Sequence, residues 1–435
     1  MSSIEHRTVI VIGGGPAGLP LIAVLGGWQP FFRPATTFSR RYGPLADALQ
    51  EVRGSLLGLD FSDLVARGVA PVDLFRALHH PRKLFEDLDQ VAMEFRREQG
   101  VDTLLLTREE VGGLWNNAPR NLLTLSPGQW MEFAFYPLAQ YAREEGLEMD
   151  VNALIKKTDL IDYYHRIPER FSVEEHVRTW QDVYEIAPHE RGFKVRARDV
   201  KTGDESIYTC TYLVYATGQR AKLRQLEVDG EDRPFVTPFY DRPEDFPGER
   251  VMVVGGGRSA DWAATELHDA GKQVVYSMRQ DNGIHWQLIN DSLYLPYYQR
   301  IADILRAASP RMEALYNTRI KKIDSEGVVA LQTADGVRTV EVDHVVKEIG
   351  GWADYSLLQG FGPLSLFDKR DAYRFQVHQL QTHAHNYESI DIPNLYAGGY
   401  LAQDIGLVVM AMHGTTYAIA GDIMQKEGVL NTHAI

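Results

Sequence analysis

An α/β fold built from two Rossmann-like dinucleotide-binding units, the first discontinuous and carrying a helical insertion, is predicted by three observations. Gly13-x-Gly15-x-x-Gly18 follows the strand-like run VIVI, and Gly255-x-Gly257-x-x-Ala260 follows VMVV. A helix-like segment leaves each turn, AGLPLIAVL after the first and ADWAATELHDAG after the second. Strand ends closed by glycine, Tyr215-Ala216-Thr217-Gly218 and Glu348-Ile349-Gly350-Gly351, flank the second unit, so the chain reads as leaving the first unit and returning to it. The order strand, glycine turn, helix is what a pyrophosphate requires. The first glycine permits the tight turn, the second lets backbone approach the phosphates, the small third residue lets helix pack on strand, and the helix N-terminus offers unpaired N–H groups. One such turn is ambiguous with an ordinary glycine-rich turn; two in the same context point to two dinucleotides, and so to electron transfer between them.

In chain order, the first glycine turn precedes a long polar–apolar stretch from Phe38 to about Glu98. There PLADALQEV, PVDLFRALHHP and KLFEDLDQVAMEFRREQG carry the spacing of amphipathic helices. VDTLLL at 101–106 is a buried-strand candidate leading into Gly112-Gly113-Leu114-Trp115. Helices are expected near Met131 to Glu145 and Leu160 to Phe171, then strands at DVYEIAP, FKVRARD and SIYTCTYLVYATG. The Pro/Asp/Gly-rich linker DGEDRPFVTPFYDRPEDFPG leads to the second unit, with a strand at VVYSM, helical pieces from Gln299 to Leu315, and short strands to His344. NLYAGGY and a helix through IAGDIM close the chain. The expected division is 1–233 (insertion about 35–100), 234–345 and 346–435.

An acid about 20 residues beyond the glycines binds a free ribose, whereas arginine there accommodates a 2′-phosphate. After the second turn the strand ends Ser277-Met278-Arg279-Gln280 with no acid before Asp281, which favours NADPH with Ser277 and Arg279 at the phosphate. After the first turn, Phe31-Phe32-Arg33-Pro34 also lacks an acid. Either the ribose partner is missing, or the true second strand is VDTLLL, with Glu109 or Glu110 as partner and Gly26 to Gly100 inserted; the second alternative is favoured.

Composition narrows the class. A net charge of −14 argues against general nucleic-acid binding, which needs a basic face. A single cysteine, Cys210, permits neither a disulfide framework nor a Cys-x-x-Cys redox pair. The apolar stretch Val9 to Leu25 is interrupted by Gly13, Gly14, Gly15 and Pro16, short of the ~20 residues that span a bilayer, so a soluble, cytoplasmic protein is expected. No metal site is expected: His378, His383 and His385 have no cysteine nearby and lack the spacing of a helical pair, and His79-His80 before Pro81 reads as a helix end. Ser126 lacks a nucleophile elbow, so hydrolase chemistry has no support.

With GGGPAG at 13–18, GGLW at 112–115, ATG at 216–218, GGGRSA at 255–260 and NLYAGGYLAQD at 394–404, the chain resembles two-dinucleotide flavoproteins of the flavin-containing monooxygenase type. LIAVLGGWQPFF at 21–32, PVDLFRALHHP at 71–81, LSPGQWM at 125–131 and LYLPYYQRI at 293–301 make it more similar to the oxidative stress-induced growth inhibitor family within that group. The resemblance implies FAD held by Gly13, Gly15, Pro16, Ala17 and Gly18, with Glu109, Gly113, Trp115, Gln129, Met131, Thr217, Gly218, Gly399 and Asp404 along the same cofactor. It implies NADPH held by Gly255, Gly257, Arg258, Ser259 and Ala260. It further implies a flavin C4a-hydroperoxide that oxygenates a small nucleophilic substrate with O2, N-hydroxylation of an amine or amino acid being the first expectation. Leu125 falls where such monooxygenases usually have the flavin-proximal asparagine, and VTPFYDRPEDF replaces their histidine-bearing fingerprint. Gln129, Gln403 and His413 are the candidates for the missing catalytic group, although a lone histidine on an apolar run is more often a packing residue. Alternatives are an NADPH oxidase or reductase that inserts no oxygen, and a non-catalytic redox-sensing flavoprotein that binds a partner. Oligomeric state stays open, with dimers and tetramers common in this architecture.

Overall fold

The computed structural model describes residues 4–80, 91–370, 376–406 and 411–435. The apolar run of Ile4–Ile12 forms the central strand of a seven-stranded sheet. Thr103–Leu106 lies parallel to it on one side and Glu205–Tyr215 on the other, and Leu395–Ala397 from near the C-terminus adds beside Glu205–Tyr215. Gln181–His189 and Gly192–Asp199 extend the sheet as an antiparallel meander. Val9–Ile12, Thr103–Leu106 and Leu213–Tyr215 are buried on both faces of the sheet, which is why VIVI, TLLL and LVY read as continuous apolar runs.

Because Thr103–Leu106 is the strand beside Ile4–Ile12, VDTLLL is the second parallel strand, and the segment between Gly26 and Gly100 is an insertion. The earlier candidate, Trp28–Phe32, pairs only with Met93–Arg97, antiparallel, in a separate two-stranded sheet. Within the insertion Gly43–Gln50 and Pro71–His79 are helical as expected. Met93–Arg97 is a strand where a helix was expected, because Met-Glu-Phe-Arg alternates apolar and polar at period two and meets the aromatic edge of Trp28–Phe32. The rest of KLFEDLDQ lies outside the described residues.

Two further segments depart from expectation. The helix foreseen from Met131 is confined to Leu138–Glu144; Pro137 precedes it, and Phe133 and Tyr136 instead form a buried turn on Tyr163, whose hydroxyl donates to Tyr136 O at 2.6 Å. Met312–Leu315 is a strand, since the helix Pro296–Arg306 cannot continue past Ala308-Ser309-Pro310, where proline disfavours α geometry for the residue before it.

Residues 236–347 supply a second, wholly parallel five-stranded sheet in the order Val236–Thr237, His344–Lys347, Arg250–Val254, Gln273–Ser277, Met312–Leu315. Its strands alternate between two cores: Val251 and Val253 face the helices Arg258–Asp269 and Pro296–Arg306, while Met252 and Val254 face a three-stranded antiparallel sheet spanning Arg319–Glu341. Among the described residues no helix is long and apolar enough to cross a membrane.

Candidate functional site

The first glycine turn is fixed by backbone bonds to both neighbouring strands: Gly13 N–H donates to Leu106 O at 2.9 Å and Ala216 N–H to Ile12 O at 2.9 Å. A Cβ on Gly18 would lie 1.9 Å from Gly13 O, so the turn itself demands glycine there. Gly15 differs: an added Cβ would meet only Gly113 Cα, at 3.6 Å, an ordinary contact. Among the described residues no contact requires glycine at position 15, and the backbone there is open to close approach by a ligand. The GGLW segment lies directly on this turn, Gly112 N–H donating to Gly14 O at 2.7 Å. From the other side Gly398 N–H donates to Tyr215 O at 2.8 Å, and Gly399 N–H to Thr415 Oγ1 at 3.0 Å. The glycine turn, the GGLW segment, the ATG strand end and the GGY strand end are thus brought to one edge of the sheet, the carboxyl ends of its parallel strands, where α/β folds bind ligands.

The other expected residues divide. Trp115, within the GGLW segment, and Met131 are buried, Met131 O accepting from Tyr164 Oη at 3.1 Å. Glu109 is half-buried and accepts from Asn117 Nδ2 at 2.8 Å, whereas Glu110 is exposed and bound to Trp180 Nε1 at 2.9 Å. The candidate catalytic residues are engaged separately: Gln129 donates to Asn152 Oδ1 at 3.0 Å, Gln403 to Asp404 Oδ2 at 3.5 Å, and His413 lies 2.5 Å from His79 Nδ1 through its Nε2. His413 occupies a π-turn, Ala411–Thr415, ahead of the last helix, Thr416–Lys426, and is buried among residues of the insertion.

The second turn repeats the first in outline. Gly255 N–H donates to Ser277 O at 3.0 Å, and the helix Arg258–Asp269 starts from Gly257 with no side-chain cap, leaving its first N–H groups for a ligand. Gln280 Nε2 donates to Gly256 O at 2.5 Å. Arg258 is held by Ser292 Oγ at 3.0 Å and lies over the Tyr298 ring at 5.4 Å. Beneath it, buried Asp261 accepts from Tyr276 Oη at 2.7 Å, His285 Nε2 at 2.7 Å and Tyr298 Oη at 2.9 Å, tying the glycine-turn helix to three other elements.

Ser277, expected at the 2′-phosphate, is turned inward by the strand pleat: it is buried and its hydroxyl shares a 2.8 Å hydrogen bond with Thr318. Of the expected pair only Arg279 is exposed. Arg224, stacked 4.1 Å over Trp352, adds a cation that sequence reading missed. Burial and then the positive charge of Arg279 both pull its pKa down. Only folding brings the linker carrying Arg224 to Arg279; no local motif marks it.

Glu348, at the strand end whose carbonyl abuts Gly255, is buried, accepts from Tyr240 N–H at 2.9 Å and has Arg220 at 3.9 Å. Burial raises its carboxyl to about 7, so the folded chain keeps a proton that the unfolded chain releases above its ordinary value of 4.5. This contribution is complete below the unfolded pKa and is lost as pH rises through about 7. Denaturant titrations at pH 5 and pH 8 are therefore expected to show wild type losing stability relative to Glu348→Gln, by on the order of 1–3 kcal/mol.

Two glycine cradles, each at the carboxyl edge of its own parallel sheet, define a two-dinucleotide oxidoreductase. Residues 90–399 match the family model for pyridine nucleotide-disulphide oxidoreductases, and the chain belongs to that family. Membership implies a flavin and a nicotinamide dinucleotide. The chain is 25% identical to oxidative stress-induced growth inhibitor 1 of Mus musculus over 98% of its own length and 97% of the relative's, the placement that LSPGQWM and its companion strings suggest. Its fold is similar to bacillithiol disulfide reductase from Staphylococcus aureus (TM-score 0.65, 18% identity, 98% and 100% of the two chains). It is also similar to the ornithine hydroxylase from Pseudomonas aeruginosa (TM-score 0.59, 15% identity, 97% and 99%).

Proposed function

We propose that this flavin oxidoreductase is an FAD- and NADPH-dependent monooxygenase acting on a small nucleophile, most directly an amine or amino acid that it N-hydroxylates. The observation that carries the reading is the pairing of two nucleotide cradles with a lone cysteine. Cys210 is buried in the Glu205–Tyr215 strand and burial raises its thiol pKa, so no dithiol relay takes electrons from a flavin. The acceptor is then a diffusible molecule, and O2 is the one that the hydroxylase among the fold's neighbours suggests.

The bound cofactors would supply hydride transfer from nicotinamide to flavin and activation of O2. Gly13, Gly15, Pro16, Ala17 and Gly18 would hold the FAD pyrophosphate and Glu109 the ribose. Gly113, Trp115, Met131, Thr217, Gly218, Gly399 and Asp404 would line the rest, with buried Trp115 and Met131 helping to exclude water. Gly255, Gly257, Ser259 and Ala260 would cradle the second pyrophosphate, with Arg258 positioned by Ser292. Arg279 and Arg224 would take the 2′-phosphate. Chain boundaries at 233/234 and 345/346, a cytoplasmic location and homo-oligomer assembly go with this reading.

The oxidase alternative draws on one observation: Gln129, Gln403 and His413 are each hydrogen-bonded elsewhere and offer no shared catalytic constellation. Anaerobic NADPH is expected to bleach the flavin, and an amine or amino acid panel to accelerate aerobic NADPH oxidation and yield a hydroxylamine. Acceleration by no member of the panel favours the oxidase, and no bleaching at all favours a partner-binding flavoprotein. In the same assay Arg279→Ala is expected to raise KM for NADPH roughly 10–100-fold, the worth of a charge-assisted phosphate contact of about 1.5–3 kcal/mol, while leaving KM for NADH unchanged.

A further inference from the structure

His79 and His80 end the helix Pro71–His79 of the insertion, and His413 lies in the π-turn near the C-terminus. One nitrogen from each ring lies within 4.8 Å of the others, and all three residues are buried. His79 Nε2 is 3.0 Å from Glu132 Oε1, and the other oxygen of that carboxyl accepts Leu138 N–H at 2.8 Å. His79 Nδ1 in turn lies 2.5 Å from His413 Nε2, so one of these two nitrogens presents its lone pair to the other. His80 stacks on His79 with ring centroids 3.9 Å apart, and neither of its nitrogens has a hydrogen-bond partner; Trp130 Nε1, on the ring 4.1 Å from His80, is likewise unpaired. Buried polar groups left unmatched at one spot are costly, and two neighbouring residues share the defect here.

We propose that His79, His80 and His413 form a site for a divalent transition metal, zinc in the first instance, that fastens the insertion to the C-terminal segment. A carboxylate holding the far nitrogen of a ligating histidine fixes its tautomer and raises its basicity, and Glu132, 3.0 Å from His79 Nε2, stands where it would take that role with an ion bound. The ion takes the orphaned His80 lone pair. Three neutral imidazoles suit zinc, whose nitrogen ligands sit about 2.0–2.1 Å from the ion, so the His79 and His413 nitrogens move apart by roughly 1 Å on binding. The site stands independently of the oxygenation reading: it joins Pro71–His79 to the turn before Thr416–Lys426, where Phe75 also stacks on Tyr417 at 4.3 Å.

The test is metal analysis of flavin-bearing protein from zinc-supplemented growth, with zinc affinity measured by chelator competition. About one zinc per chain is expected, with an X-ray absorption spectrum showing nitrogen scatterers and imidazole multiple scattering. His80→Asn and His413→Asn are expected to weaken zinc binding by at least about 100-fold, Glu132→Gln by roughly 10–100-fold, and His385→Asn not at all. Should a ligand variant fail to fold, a melting temperature of wild type that rises with zinc and falls with a chelator supports the site. Flavin-bearing wild type that holds no zinc and gains none at micromolar zinc overturns it, as does a sulfur or all-oxygen shell.

Discussion

Gly15→Ala is expected to fold as wild type does and to purify almost without flavin, its absorbance near 450 nm relative to 280 nm falling below about a tenth. A Cβ there touches only Gly113 Cα at 3.6 Å, so the melting temperature of the apoprotein has no reason to change. It would, however, stand between the backbone and a pyrophosphate that must lie against it, and each 1.4 kcal/mol of lost contact is about tenfold in affinity. Gly18→Ala is the contrasting control. Its Cβ would fall 1.9 Å from Gly13 O, so the turn must open and stability drops together with flavin content. Equal flavin retention in Gly15→Ala and wild type would place the cofactor elsewhere.

Asp261→Leu is expected to be among the most damaging single changes in the 236–347 region. It leaves Tyr276 Oη, His285 Nε2 and Tyr298 Oη without their acceptor in a fully buried space. At about 1–3 kcal/mol for each of the three buried groups left unsatisfied, the loss is about 3–9 kcal/mol, a melting shift of roughly 5–20 °C. The same network carries Tyr298, over which Arg258 is stacked, so KM for NADPH is expected to rise in whatever fraction still folds. Calorimetry with and without NADPH reads both effects. An unchanged melting temperature would mean that the four groups are not coupled as their distances indicate.

Much of this was legible before folding. The glycine turns announce themselves because a pyrophosphate constrains residue type at fixed offsets along a strand, turn and helix, and continuous runs such as VIVI and TLLL mark strands buried on both faces. Residue type left the insertion open: the missing acid after Phe31-Phe32-Arg33-Pro34 allowed either an absent ribose partner or VDTLLL as the adjoining strand, and the pairing of Thr103–Leu106 with Ile4–Ile12 selects the second for the strand. Short segments were harder. Met93–Arg97 and Met312–Leu315 are too brief for period two and period 3.6 to be told apart, and each became a strand because a neighbouring edge was there to pair with. The surroundings of the catalytic candidates were not legible, for another reason. Position along the chain singles out Gln129, Gln403 and His413, whereas their hydrogen bonds depend on what folding sets beside them. His79-His80 read as a plain helix end for the same cause: Glu132, Trp130 and His413, which give the pair its chemistry, arrive from remote segments.

A monooxygenase places one oxygen atom of O2 in its substrate. The most direct measurement is turnover of the purified flavoprotein with NADPH under 18O2, with mass spectrometry of the product of the most accelerating amine and simultaneous assay of H2O2. The proposal predicts one 18O atom in the product for each NADPH consumed, with little H2O2. Oxidation of NADPH recovered entirely as H2O2, with no label in any organic product, would contradict it.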